Sequence, residues 1–149
     1  MRLWLCSLLI ALCSPLVSAN ILPAVQFYQA TAYICGGIGS DQAALFRAAR
    51  AHYPLSFTFG QHQGNKVAFI ADVQVVMRND YDQTVLNINS DGPFCLLDID
   101  PGSYQVYVTY EGNTMHQAIT VKRQGHQLSF TWPETLTTTQ SLNSNDTNS

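Results

Sequence analysis

Charged side chains are scarce in this sequence, and basic ones are the scarcer kind. The 149 residues include 7 lysines and arginines against 10 aspartates and glutamates, which leaves a net charge of −3. The acidic residues are scattered along the chain, as expected for solvated loop charges. Proteins that bind nucleic acid or an anionic membrane surface generally carry a basic patch. We therefore expect neither kind of partner.

Apolar runs long enough to anchor a protein are also lacking. The run Leu3 to Leu12 is shorter than the ~20 residues that span a membrane. It follows Arg2 and precedes Val17-Ser18-Ala19, which has the small residues of a signal-peptidase site. We predict that residues 1–19 are a signal peptide and that the protein is periplasmic or secreted, with no membrane span after cleavage. Lipidation at Cys13 is a weaker alternative, because the leucine before it is not a small residue.

Cysteine is infrequent, and half of the 4 cysteines would leave with the signal peptide. Cys35 and Cys95 remain and would lie in an oxidising compartment, where paired cysteines generally form disulfides. We predict a disulfide between Cys35 and Cys95. Two buried free thiols are the alternative.

Sequence patterns that carry catalysis or bind cofactors are missing. Gly36 to Gly39 lies between a predicted strand and a predicted helix, but Gln42 occupies the place of the third glycine of a dinucleotide-binding loop. No serine lies in a G-x-S-x-G motif. The histidines are not spaced as metal ligands. They are His52, His62, His116 and His126. We predict a protein that is not an enzyme and holds no metal or cofactor, in which Gly36, Gly37 and Gly39 form a structural turn.

The sequence does contain many short runs in which apolar and polar residues alternate, as is typical of β-strands. We predict eight or nine strands that pair mainly antiparallel and form a β-sandwich over residues 20–133, with an antiparallel barrel as the alternative. The run from Lys66 to Arg78 alternates throughout and predicts either one long strand or two strands bent at Ala71-Asp72. Residues 134–149 hold almost nothing that a core could bury, and we predict a disordered tail.

One short helix is predicted near the N-terminus of this domain. Ser40 is a favourable N-cap residue, and the helix should end before Pro54. Helical spacing of Leu45, Ala48, Ala49 and His52 predicts the face that the helix buries.

Two turn signals divide the most strand-rich part of the sequence. Asp91-Gly92 stands shortly before Phe94, and Pro101-Gly102 stands shortly before Tyr104. Each signal lies between short β-rich runs, which predicts antiparallel strands joined by tight turns.

With these turns, the stretch from roughly Ala71 to Val121 resembles the carboxypeptidase regulatory-like domains, a transthyretin-like (prealbumin-like) group. In those domains a strand leads to a turn before an aromatic residue. A short strand then reaches a Pro-Gly-x-Tyr turn, and a long alternating strand follows. More loosely, the chain resembles small exported proteobacterial proteins of unassigned activity. The resemblance implies an antiparallel β-sandwich of the prealbumin-like type and a role without catalysis. Together with the helix predicted from the residues, the expected fold is such a sandwich with one short helix near the N-terminus.

The expected function is therefore that of an exported, non-enzymatic binding or accessory protein for a protein or envelope component. Tyr107 and Trp132 are candidate binding residues, because exposed aromatic rings stack on sugars or contact protein partners. A carbohydrate-binding module that uses such aromatics is the alternative. A small hydrolase built on clustered histidines is the third hypothesis.

Overall fold

A computed structural model describes residues 21–123 and 125–135. The predicted signal peptide and residues 136–149 of the predicted tail lie outside the described residues. The elements are β1 (Gln26–Tyr28), β2 (Thr31–Gly36), α1 (Ser40–Ala49), a 3-10 turn (Arg50–His52), β3 (Leu55–Gln63), β4 (Lys66–Phe69), β5 (Gln74–Asn79), β6 (Thr84–Asn89), β7 (Phe94–Asp98), β8 (Gly102–Tyr110), β9 (Asn113–Val121) and β10 (His126–Trp132). The prediction of a mainly β protein with one short helix is confirmed.

The strands form two sheets. The first has the order β1-β2-β7-β3-β10 with β4 also paired to β3, and the second has the order β6-β5-β8-β9. All pairs are antiparallel except β3 and β10, which run parallel. Since both sheets contribute side chains to one hydrophobic core, the arrangement is sandwich-like and does not close into a barrel. The parallel pair is not a hairpin, because the whole second sheet lies between β3 and β10 in the chain.

The two turn signals mark crossings between the sheets, which corrects their prediction as tight turns between paired strands. Ser90 to Pro93, which contains Asp91-Gly92, leads from β6 in the second sheet to β7 in the first. Pro101-Gly102 then leads from β7 back to β8 in the second sheet. The strand β7 is buried from Phe94 to Leu97 without alternation. It is covered on one side by the core between the sheets and on the other by α1.

The helix buries a different face from the predicted one. Ala43 and Phe46 are buried, whereas Ala48 is exposed. Gly39, and not Ser40, occupies the N-cap position, and no side chain in the described part of the protein caps the helix. Phe46 decides the face, because an aromatic ring buries far more apolar surface than two alanine methyl groups.

The disulfide between Cys35 and Cys95 is confirmed. The two residues lie directly opposite each other in the antiparallel pair of β2 and β7. Both are buried, so the covalent bond joins two neighbouring strands of the first sheet from within the core.

The alternating run from Lys66 to Arg78 is two strands, and they belong to different sheets. The chain bends at Asp72, whose φ is 58°. After the bend Val73 and Val75 are fully buried, as their alternation predicts. Before the bend Val67 is 51% exposed and Phe69 is 55% exposed. An apolar face that the sequence presents as continuous is therefore covered along β5 and uncovered along β4.

Candidate functional site: a cleft beside β4

The uncovered face of β4 forms one wall of an apolar cleft, here called the β4 cleft. Its volume is about 620 Å³. The opposite wall is the glycine corner between β2 and α1 together with one side of α1. The lining residues are Gly37, Ile38, Gly39, Ser40, Ala43, Arg47, Phe69, Ile70, Ala71 and Pro93.

Backbone pairing of β3 determines where this cleft lies. One edge of β3 pairs with β10, so β7 and β4 share the other edge, β7 along Leu55 to Thr58 and β4 along Gly60 to Gln63. Phe59 stands at the junction, because its N–H donates to the carbonyl of Pro93 at 2.8 Å and its carbonyl accepts from the N–H of Ile70 at 3.2 Å. On the far side β7 is paired with β2, but within the described residues β4 pairs with β3 alone. The β4 cleft therefore lies along the edge of β4 that is opposite β3. At the corresponding edge of β7 lies β2.

Three phenylalanine rings form a row on the outer face of the first sheet. Phe46 stacks on Phe94 with their centroids 6.0 Å apart, and Phe94 packs against Phe69 with their centroids 5.1 Å apart. The rings of Phe46, which belongs to α1, and of Phe94 are buried between α1 and the sheet, whereas Phe69 lies beyond the helix and is exposed. The row therefore carries apolar surface from the core out to the cleft.

The wall formed by the glycine corner is held by close backbone packing and by one side chain. A Cβ atom at Gly37, whose φ is 94°, would lie 2.4 Å from Cδ2 of Phe94. The side chain of Gln42 accepts hydrogen bonds from the N–H groups of Gly37 at 2.7 Å and Ile38 at 3.2 Å. These contacts hold the corner in a conformation in which Ile38 is 68% exposed at the rim of the cleft.

One charged group lines the cleft among the described residues, and it is the guanidinium of Arg47. The described residues provide it with no acidic partner within ion-pair distance. Asp41, on the same helix, lines a neighbouring depression with Ile21 and Leu45 instead. The cleft therefore combines apolar walls with a single positive charge.

The predicted binding residues lie elsewhere. Tyr107 is half-buried on the outer face of the second sheet, where one face of its ring stacks on His116 at a centroid distance of 4.5 Å. Trp132 is only 2% exposed, and its Nε1–H donates to the carbonyl of Asn113 at 2.9 Å. The expectation that Trp132 points outward is wrong, because its indole completes the core beside Phe59 and Tyr110.

The remaining predicted site residues have structural surroundings. Gly92 packs directly on the backbone of Gly36, where a Cβ would lie 2.3 Å from the Gly36 carbonyl oxygen. Tyr104 closes the crossing after β7, since its hydroxyl donates to the carbonyl of Asp100 at 2.8 Å. Burial, and then the negative charges of Asp100 and Asp80, raise the pKa of the Tyr104 hydroxyl above its ordinary value of 10.0.

The histidines do not assemble a metal site within residues 21–123 and 125–135, where no three His, Cys, Asp or Glu side chains come together. They lie on four different elements: His52 in the 3-10 turn, His62 in β3, His116 in β9 and His126 in β10. The hydrolase hypothesis gains no support from these positions.

Three side chains of the cleft were not predicted from the sequence, namely Ile38, Arg47 and Phe69. One signal for Phe69 is present, because Val67 and Phe69 continue the apolar alternation of β5 beyond the bend at Ala71-Asp72. Only the assignment of β4 and β5 to different sheets shows that this part of the face is uncovered.

Comparisons with known proteins add no assignment. A scan against models of known protein families finds no match to the chain. A search of curated proteins also finds no matching sequence.

None of the helices in the described part of the chain is both long and apolar enough for a membrane crossing.

Proposed function

We propose that this chain is an exported, non-enzymatic binding protein that holds a protein or envelope partner in the β4 cleft. We also propose that its sandwich is of the prealbumin-like type, as the resemblance of Ala71 to Val121 to carboxypeptidase regulatory-like domains implies. In that group the domain serves without catalysis, which accords with a site made of apolar walls and one arginine.

The observation that carries the proposal is the exposure of Phe69 and Ile38 on opposite walls of one concave surface. Isolated exposed apolar side chains are common, but large ones grouped around an apolar cleft mark binding sites. Here Phe69 is also the exposed end of the phenylalanine row whose other two rings are buried. A partner that covers Phe69 would complete the apolar face that α1 leaves uncovered.

Export is the second part of the proposal. A disulfide in the core is typical of proteins that fold outside the reducing cytosol. The disulfide between Cys35 and Cys95, together with the predicted signal peptide, supports a periplasmic or secreted location.

A pull-down from envelope extract tests the proposal. The baits are the chain from residue 20 onward, its F69E variant and a matched Y81E control. Tyr81 is 84% exposed and lies between β5 and β6, away from the cleft. We expect the same proteins to be recovered by the wild type and by Y81E and to be lost with F69E.

Equal recovery by F69E and the wild type would remove the β4 cleft as the working surface. Recovery of no protein, together with saturable glycan binding that a Tyr107→Ala substitution abolishes, would establish the carbohydrate-binding alternative instead.

A further inference from the structure

We propose, building on the function proposed above, that the partner presents an extended peptide strand that pairs with the outer edge of β4 and places a carboxylate on Arg47. The free backbone edge, the apolar walls and the single arginine each support one part of this inference.

The backbone of β4 has hydrogen-bonding groups to offer. In an antiparallel pair, the residues whose N–H and C=O groups face the partner strand alternate with residues whose groups face away. Ile70 donates to the carbonyl of Phe59, so its backbone faces β3. By this alternation the backbone groups of Val67 and Phe69 face away from β3, and Phe69 lines the β4 cleft. Exposed strand edges of this kind accept an added strand from another chain.

The walls of the cleft determine which side chains such a strand would carry. Side chains directly opposite each other on neighbouring strands lie on the same face of a sheet. A residue that pairs opposite Phe69 would therefore place its side chain beside Phe69, on the face that also holds Phe94. On the other side it would meet Ile38 across the cleft. Apolar side chains at alternate positions of the peptide fit this surface.

Arg47 determines which charge the bound peptide should carry. The lining contains no carboxylate among the described residues, and the guanidinium is exposed and has no acidic partner there. Arginine binds carboxylates through two parallel hydrogen bonds, and this interaction is stronger where apolar surroundings exclude water. The mature chain has ten acidic and six basic side chains, so its overall charge repels acidic peptides. A preference for an acidic peptide would therefore come from Arg47 and not from the net charge of the chain.

A second copy of the same edge is a poorer occupant. Two β4 strands paired with each other would bring together two segments, Lys66 to Phe69, that hold no acidic side chain. Neither copy would supply the carboxylate for Arg47 from this segment.

The test is a peptide-display selection in which the chain from residue 20 onward is the target. The library consists of random heptapeptides with free C-termini. We expect enriched peptides that alternate apolar and polar residues and carry a carboxylate, either in a side chain or at the terminus. The strongest of these peptides is then synthesised as the free acid, as the C-terminal amide, and with N-methyl groups on alternate backbone nitrogens. Binding is measured by fluorescence anisotropy.

The matched variants are R47Q and R50Q, since Arg50 begins the 3-10 turn directly after α1 and does not line the cleft. We expect R47Q to weaken binding at least fivefold and R50Q to change it less than twofold. Two N-methylated peptides are compared, with the methyl groups on one or on the other set of alternate backbone nitrogens. One of the two should no longer bind. If amidation weakens binding as much as R47Q does, the carboxylate is the chain terminus; if it has no effect, the carboxylate is a side chain.

The inference is overturned if the enriched peptides lack a carboxylate, if R47Q and R50Q behave alike, or if neither N-methylated register affects binding. Loss of the envelope partner with F69E in the same protein would show that the proposed function stands although the strand inference has failed. Retention of that partner by F69E would show that the proposed function itself has failed.

Discussion

Replacing Gly92 by alanine should lower the free energy of unfolding by about 3 kcal/mol. The added Cβ would lie 2.3 Å from the carbonyl oxygen, 2.4 Å from the carbonyl carbon and 2.8 Å from the Cα of Gly36. Ordinary contacts between non-bonded carbon atoms are about 3.5–4.0 Å. One backbone must therefore retreat by roughly 1 Å, judged against that ordinary contact distance.

The surroundings of Gly36 leave little room for this retreat. Gly36 is paired with Phe94 in the sheet, and the neighbouring Cys35 is tied to Cys95 by the disulfide. Overpacking of a well-packed interior usually costs about 1–3 kcal/mol. Because both groups in this contact are backbone and neither is a flexible side chain, we expect the upper end of that range.

Urea denaturation followed by circular dichroism measures the effect, with G102A as the matched control. A Cβ at Gly102 would lie 3.6 Å from the nearest atom of the Tyr104 ring, which is an ordinary contact. We expect G102A to remain within about 0.5 kcal/mol of the wild type, as is usual for substitutions that disturb no packed contact. For G92A we expect a melting temperature lower by on the order of 10 °C for a domain of this size. Equal stability of G92A and G102A would show that the Gly36 contact relaxes freely, and the reasoning would be refuted.

Three other perturbations have defined outcomes. Reducing the disulfide between Cys35 and Cys95, which are 60 residues apart in the sequence, should lower the unfolding free energy by about 4 kcal/mol on chain-entropy grounds. Urea curves of a C35A/C95A double variant should not respond to reductant. A wild type whose curves do not respond either would contradict this prediction. Because burial raises the pKa of Tyr104 above 10.0, the native state keeps this proton more tightly than the unfolded state. Its contribution to stability should be complete below pH 10 and be lost as the pH rises through the folded-state pKa, so alkaline urea titrations should show a flatter decline for Y104F. At pH 7, Y104F should be about 1 kcal/mol less stable because it lacks the hydroxyl hydrogen bond. F94A should lose about 3–5 kcal/mol because its ring is buried, whereas F69A should lose under about 1 kcal/mol; comparable losses in thermal unfolding would mean that Phe69 belongs to the core.

Alternation along the sequence predicts where most strands lie, but it does not predict their partners. The stretches around Asp91-Gly92 and Pro101-Gly102 carry the composition of tight turns, and in both places the chain does change direction. It also changes sheets, which no local pattern distinguishes from a hairpin, because glycine and proline are equally suited to both. The cysteine pair is different, since the predicted export and the two cysteines left after the predicted signal peptide favour one bond without reference to topology.

Burial is harder to predict where the covering element is distant in sequence. Trp132 lies near the end of the described chain beside polar residues, yet it packs on Phe59 and Tyr110. Phe69 lies in a run whose later members are fully buried, yet it is exposed because the chain bends at Asp72 and only β5 enters the second sheet. The candidate site could therefore not be predicted from the sequence, since it depends on the end of a sheet and not on a motif.

The phenylalanine row separates the part of the first sheet that stabilises the fold from the part available to a partner. At its inner end, the rings of Phe46 and Phe94 lie between α1 and the first sheet, near the disulfide that joins β2 to β7. At its outer end, Phe69 lies on β4, which pairs along one edge only among the residues that the structure describes. Substitutions at the outer end should therefore weaken the proposed binding without unfolding the protein, because the covered rings and the covalent bond hold the inner end. A ligand that covers Phe69 would add its binding free energy to the native state and raise the melting temperature with ligand concentration. Absence of this increase in the F69E variant would place the binding at the cleft.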